Sequence, residues 1–213
     1  MIRLLLARHG ETAENSVKRI QGRSDADLSA RGRRQAEALA QALASEDLHA
    51  VYCSDQKRAW QTAKQIAALH EGLTVQREAR LREIDFGLWE GLTLEEVQTR
   101  FASDLSAWEA DADAAPTGGE AIREVMGRTT GLLEQIKVER PNQSVLLVAH
   151  AGVLQALICE AMQIMPHRWW AFHLYTGSLS ELWLYERGAT LVYLNDLSAL
   201  ALAGIPPESV RGR

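Results

Sequence analysis

Two stretches of this chain, Ile2-Arg3-Leu4-Leu5-Leu6-Ala7 and Ser144-Val145-Leu146-Leu147-Val148-Ala149, are short, nearly continuous apolar runs. A strand with one wet face alternates apolar and polar residues. A strand covered on both faces does not, and such strands belong to parallel sheets flanked by helices. Each run ends abruptly at a histidine followed by small residues: Arg8-His9-Gly10 in the first, His150-Ala151-Gly152 in the second. In open α/β sheets ligands bind beyond the carboxyl ends of the strands, where the strand order switches. Parallel pairing brings both histidines to that edge. Arg8 adds a planar, permanently charged donor fork suited to phosphate or carboxylate. Gly10 lacks the Cβ that would keep another group from the backbone.

The rest of the chain repeats the rhythm. Ala13 to Asp27 is polar and reads as a loop beside that edge. Ser29 is the N-cap of a helix in which Ala36, Leu39, Ala40 and Leu43 share a face. Ala50–Cys53 is a short strand, followed by a helix from Gln56 to Leu69 with Ala59, Ala63, Ile66 and Ala67 on one side. Thr74–Gln76 is a weak strand. Residues 81–91 match neither periodicity, and Thr93 with Glu96 forms a capping box for a short helix to Phe101. Asp104 to Thr117 is acidic and Ala-rich, a small cap. Gly118-Gly119 leads into a helix from Glu120 to Glu139, and a further helix runs from Val153 to Met162. Leu179–Tyr185 and Thr190–Leu194 flank Gly188 as a hairpin. The expected architecture is α/β, a three-layer sandwich with a mostly parallel central sheet, helices on both faces and a small cap inserted around 92–118. The 213 residues fit a single domain, 1–213, with a frayed tail at 198–213.

Composition narrows the function. A net charge of −5 offers no footprint for nucleic acid. The N-terminal apolar run is too short for a signal peptide and no run approaches membrane-spanning length, so a cytoplasmic protein with no membrane partner is expected. Cys53 and Cys159 lie far apart in apolar surroundings and read as buried free thiols. No clustered spacing suggests a metal, and no cofactor motif is present.

Four blocks occur in order: Arg8-His9-Gly10-Glu11-Thr12; Ser54-Asp55 with Arg58-Ala59 and Gln61-Thr62-Ala63; Leu81-Arg82-Glu83 with Phe86-Gly87 and Trp89-Glu90-Gly91; and His150-Ala151-Gly152. Together they resemble the histidine phosphatase superfamily, the phosphoglycerate-mutase-like group, from about residue 2 to 195. The resemblance implies that His9 is a nucleophile forming a phosphohistidine. For this one ring nitrogen must be unprotonated while a partner such as a backbone carbonyl holds the proton of the other. Arg8, Arg58 and His150 would surround the transferred phosphoryl group and supply the positive charge its transition state needs. Asn15, Gln21 and Gly22 match the loop that contacts phosphate, and Ala151 offers a backbone N–H. Glu83 matches the family's proton donor, ahead of Glu11 and Asp85; apolar Leu81, Ile84, Phe86 and Trp89 around it suggest a partly desolvated carboxyl with a raised pKa. Ala151 stands where the family often has Gly, and Cys53 precedes Ser54 where Ser or Thr is common.

A phosphoglycerate mutase must retain a bisphosphorylated intermediate, which favours a cationic cap. This cap is short and carries Asp104, Glu109, Asp111 and Asp113, which points to hydrolysis of a small-molecule phosphate ester. The 81–91 block and compact cap look most like α-ribazole-phosphatase-type members; phosphoserine phosphatases and broad-specificity phosphatases share much of them. Trp108, Trp169, Trp170, Phe172 and His173 fit an aromatic specificity pocket, and equally a core or the surface of a homodimer.

Overall fold

The computed structural model describes residues 1–208. Its strands are β1 (Ile2–Arg8), β2 (Ala50–Cys53), β3 (Val75–Arg77), β4 (Ser144–Ala149), β5 (Leu179–Leu184) and β6 (Ala189–Asp196). They form one sheet in the order β3-β2-β4-β1-β5-β6. The pairs β3–β2, β2–β4 and β4–β1 are parallel; β5 runs antiparallel to β1 and β6 antiparallel to β5. The two runs that lack alternation are therefore neighbours at the centre of the sheet.

Helices cover both faces. α1 (Ala13–Ser16) is a single turn; α2 (Ala30–Leu43) and α3 (Lys57–Ala67) lie on one side. There Leu39, Leu43, Ala63 and Ile66 pack on Leu5, Ala7, Leu146 and Val148. α4 (Leu94–Arg100) and α5 (Ala102–Ala110) occupy the inserted segment, and α6 (Ile122–Glu139) and α7 (Ala151–Ala161) take the other side. Val125, Leu132, Val153 and Leu157 meet Leu4, Leu6, Val145 and Leu147 there. Adjacent residues of β1 and β4 thus bury in opposite directions, which is why neither strand shows a polar face. β1 leads to α2 on one face and β4 to α7 on the other, so the crevice beyond their carboxyl ends is the switch point of the fold.

Register sets the geometry of that crevice. Arg8 lies opposite Ala149, and the His9 amide donates to the Ala149 carbonyl at 3.0 Å. His9 and His150 consequently leave the sheet side by side. Ser29 caps α2 through Gly32 N–H, and Thr93 caps α4 with Glu96 returning the bond, as their spacing predicts.

Four expectations change. The polar segment 13–27 opens with α1, because Thr12 and Asn15 form a capping box without the Glu or Gln usually sought. The acidic stretch 104–117 begins within α5, whose Leu105 joins Val97 and Trp89 in a small satellite core. The tail is not frayed over 198–208. Here α8 (Ser198–Leu202) and Ile205 bury Leu200 and Ile205 against Ala38 of α2; residues 209–213 lie outside the described part of the chain. Ala/Leu composition alone could not reveal which tail residues find a groove. Gly10 serves a different purpose from the one expected: a Cβ there would lie 2.2 Å from the Gly32 carbonyl oxygen. It lets the exit of β1 sit on the first turn of α2. The hairpin, α6 and the N-cap positions agree with the sequence pattern, and both cysteines are buried and free.

Candidate active site

His9 is buried, and its Nδ1 lies 2.7 Å from the Gly10 carbonyl oxygen. A carbonyl only accepts, so Nδ1 carries the proton and Nε2 presents its lone pair. His150, fully buried, has the opposite arrangement. Arg58 Nε–H donates to His150 Nδ1 at 3.1 Å, so the His150 proton resides on Nε2. That Nε2 is buried with no hydrogen-bond partner among the described residues. The two rings stand edge to face with centroids 4.9 Å apart. Burial above all, and then the Arg58 guanidinium, hold both imidazoles well below their usual pKa. The pair is neutral at physiological pH, one ring offering a lone pair and the other an N–H.

Arg58 sits in the first turn of α3, fully buried. Besides His150 it donates to the Ser24 and Gly22 carbonyls at 2.8 and 2.9 Å. Burial lowers its pKa to about 10, which leaves it charged at neutral pH. Thr62, one turn on, accepts from the Gly10 amide at 3.1 Å and donates to the Arg58 carbonyl at 2.8 Å, tying α3 to the loop after β1. Arg8 donates to the Leu174 carbonyl at 2.6 Å, while its Nε is buried with no hydrogen-bond partner among the described residues. Arg8 and Arg58 both act electrostatically on His9 and His150, so guanidinium charge and the His150 Nε2–H are gathered around the neutral His9 ring, a donor set suited to an anion.

Glu83 is held at the start of α7. Its Oε1 accepts from the Ile84 and Val153 amides at 2.9 and 3.1 Å, and its Oε2 from the Gly152 amide at 3.1 Å. The expected apolar setting is only beside it: Leu81, Ile84 and Trp89 are buried, but the carboxyl oxygens rest on backbone donors. Gly152 is required for this contact, since a Cβ there would lie 2.7 Å from Glu83 Oε1 and 2.5 Å from Ile84 Cδ1. Ala151, the first residue of α7, lies next to His150.

The remaining candidates divide. Asn15 lines the cleft beside Arg8. Gln21 turns instead to Thr12 Oγ1 at 2.9 Å, and Gly22 contributes its carbonyl to Arg58, so both shape the loop around the anion site. Of the aromatic residues, Trp108 and His173 line a cleft of about 430 Å³ together with Arg8, Phe86, Trp89 and Tyr175. Trp169, Trp170 and Phe172 pack against the core of the α6–α7 face. Gln56 went unnoticed in the sequence, yet it donates to the Gly22 carbonyl at 2.7 Å and accepts from the Glu83 amide at 3.0 Å. Its place two residues before Arg58, at the N-cap of α3, was the available signal. Among the described residues no three His, Cys, Asp or Glu side chains are grouped as a metal ion would need, and no helix is long and apolar enough to cross a membrane.

A doubly wound sheet with two histidines and two arginines gathered at its switch point places the chain among α/β proteins whose strand ends are suited to a phosphate-like anion. Residues 4–197 match the histidine phosphatase superfamily (branch 1), and the chain belongs to that family. Among its relatives, Phosphoserine phosphatase 1 of Hydrogenobacter thermophilus is 36% identical over 196 residues, 92% of each chain. The adenosylcobalamin/alpha-ribazole phosphatase of Escherichia coli is 32% identical, covering 92% of this chain and 96% of that one. Among solved structures, a mycobacterial glucosyl-3-phosphoglycerate phosphatase complexed with VO3 superposes with a TM-score of 0.83 at 33% identity, over 91% of this chain and 98% of that chain.

Proposed function

We propose that this chain is a metal-independent phosphomonoesterase that hydrolyses a small-molecule phosphate ester through a phosphohistidine on His9. The observation that carries this reading is the opposed tautomers of His9 and His150, one a nucleophile and the other a donor. The phosphoryl group sits among Arg8, Arg58, His150 Nε2–H and the Ala151 amide, with Asn15 at its rim. His9 Nε2 attacks phosphorus as the ester P–O bond breaks, and Glu83 passes a proton to the departing alkoxide. Glu83 then takes a proton from water, whose oxygen attacks the phosphohistidine and releases inorganic phosphate and free His9. The arginines and His150 stabilise charge on the equatorial oxygens in both steps.

Phe86, Trp89 and Trp108 along the cleft suit a leaving group with an aromatic face, and α-ribazole 5'-phosphate or a similar metabolite is the leading substrate. Phosphoserine is the second reading, supported by the relative of that name from Hydrogenobacter thermophilus. Ranking α-ribazole phosphate, phosphoserine, 3-phosphoglycerate and an aryl phosphate by kcat/KM separates them. A flat ranking indicates a broad-specificity enzyme, and transfer of phosphate between positions of phosphoglycerate without release identifies a mutase. The covalent step is tested by rapid acid-free quench with ³²P-labelled ester. Label on His9 during turnover, with no phosphate release by His9→Ala, is the expected result; turnover without labelled His9 refutes the mechanism. A chelator should leave the rate unchanged.

A further inference from the structure

Glu83 lies in the irregular stretch between two single 3-10 turns, Ala79–Leu81 and Gly87–Trp89, yet a proton donor works only when it is held in place. Arg128 of α6, largely buried, reaches this segment. Its Nε and Nη2 donate to the two carboxylate oxygens of Glu120 at 2.8 and 3.1 Å. Its Nη1 donates to the Arg80 carbonyl and its Nη2 also to the Glu83 carbonyl at 3.3 Å. Glu120 continues the hold: its amide donates to the Asp85 carbonyl at 2.8 Å, and its Oε2 accepts from the Asp85 amide at 3.4 Å and from Arg23 Nη2 at 3.2 Å. The chain is thus pinned at residues 80, 83 and 85, on both sides of the carboxylate that meets α7. Through Arg23 the same carboxylate reaches the loop whose Gly22 and Ser24 carbonyls hold Arg58.

We propose that Arg128, with Glu120, is a positioning clamp for Glu83 that sets its approach to the leaving-group oxygen. The inference rests on the proton-donor role given to Glu83 above. Arg128 touches no reacting atom. Its planar fork satisfies a bidentate carboxylate and two carbonyls at once, which a lysine ammonium cannot do. A displacement of about 1 Å in a catalytic group can cost roughly a hundredfold in rate.

The test uses the leaving group as the readout. An alkoxide must be protonated as it departs, whereas para-nitrophenolate leaves unaided, and kcat/KM reports the steps through phosphoenzyme formation. The quantity measured is the ratio of kcat/KM for an alkyl phosphate to that for para-nitrophenyl phosphate, in wild type, Arg128→Met, Arg128→Lys, Glu120→Gln and Glu83→Gln. In Arg128→Met and Glu120→Gln the ratio is expected to fall by about tenfold or more, in the same direction as in Glu83→Gln, and Arg128→Lys recovers only part of it. If Arg128→Met does not fold, Arg128→Lys and Glu120→Gln carry the comparison. An unchanged ratio in the Arg128 and Glu120 variants beside a lowered ratio in Glu83→Gln overturns the clamp alone, as does full recovery by Lys. An unchanged ratio in Glu83→Gln removes Glu83 as proton donor, and with it the clamp's purpose.

Discussion

At the level of single residues, the site turns on where two protons sit. A neutral imidazole has one donor nitrogen and one acceptor, and its neighbours decide which is which. The Gly10 carbonyl can only accept and the Arg58 Nε–H can only donate, so His9 and His150 are forced into opposite states. Arg58 has a double task, orienting His150 and presenting positive charge. Lysine keeps the charge but loses the fork that serves His150, Gly22 and Ser24 together. Arg58→Lys should therefore lower kcat/KM by about 10²–10³, the cost of removing one preorganised donor. Steady-state kinetics on folded protein check this, and a loss below about tenfold would show that charge alone suffices.

At the level of elements, the start of α7 joins two functions. His150 follows β4 directly and stands at the N-cap of α7, while the amides of Gly152 and Val153 in the first turn bind the Glu83 carboxyl. The amides of a first helical turn have no partner within the helix, so an oxygen acceptor is drawn to them. The contact depends on Gly152 having no side chain. Gly152→Ala places a methyl against Glu83 Oε1 and Ile84 Cδ1. It should destabilise the fold by about 1–3 kcal/mol through overpacking and lower activity toward alkyl phosphates more than toward aryl phosphates. Denaturant titration and the two kinetic assays measure both effects; wild-type stability and activity would mean that Ile84 yields without moving Glu83.

For the molecule as a whole, the buried histidines link the site to stability. In the unfolded chain they take up protons as pH falls through about 6.5. In the folded chain burial and Arg58 hold both well below that value, so the unfolded state binds more protons. Stability should fall as pH drops below about 6.5, by up to roughly 1.4 kcal/mol per pH unit for each histidine, until the folded-state values are reached. Above about 6.5 both are neutral in either state and the contribution is flat. Urea midpoints between about pH 7 and 5 should show this slope, and His9→Asn with His150→Asn should flatten it; an equal slope in that variant would place the proton uptake elsewhere.

The sequence by itself determined the layered α/β plan, because non-alternating Leu4–Ala7 and Val145–Ala149 have no stable place except between two helical layers. The blocks that hold Arg8, His9, Arg58, Glu83 and His150 were also legible in the sequence, as matches in order to one family's pattern, while the roles proposed for these residues rest on that likeness and on the contacts the fold gives them. Only the tertiary structure decided the rest. Tautomers depend on a carbonyl and a guanidinium brought together from residues 10 and 58. The role of Gly10 depends on Gly32, and that of Gly152 on Glu83. Trp169 shares its residue type with the cleft-lining Trp89 and Trp108 and differs only in what packs beside it. Arg128 and Glu120 look like ordinary helix residues in sequence. Their importance comes from contacts with residues 23, 80, 83 and 85 made across the fold, and such long-range contacts leave no local periodicity to read.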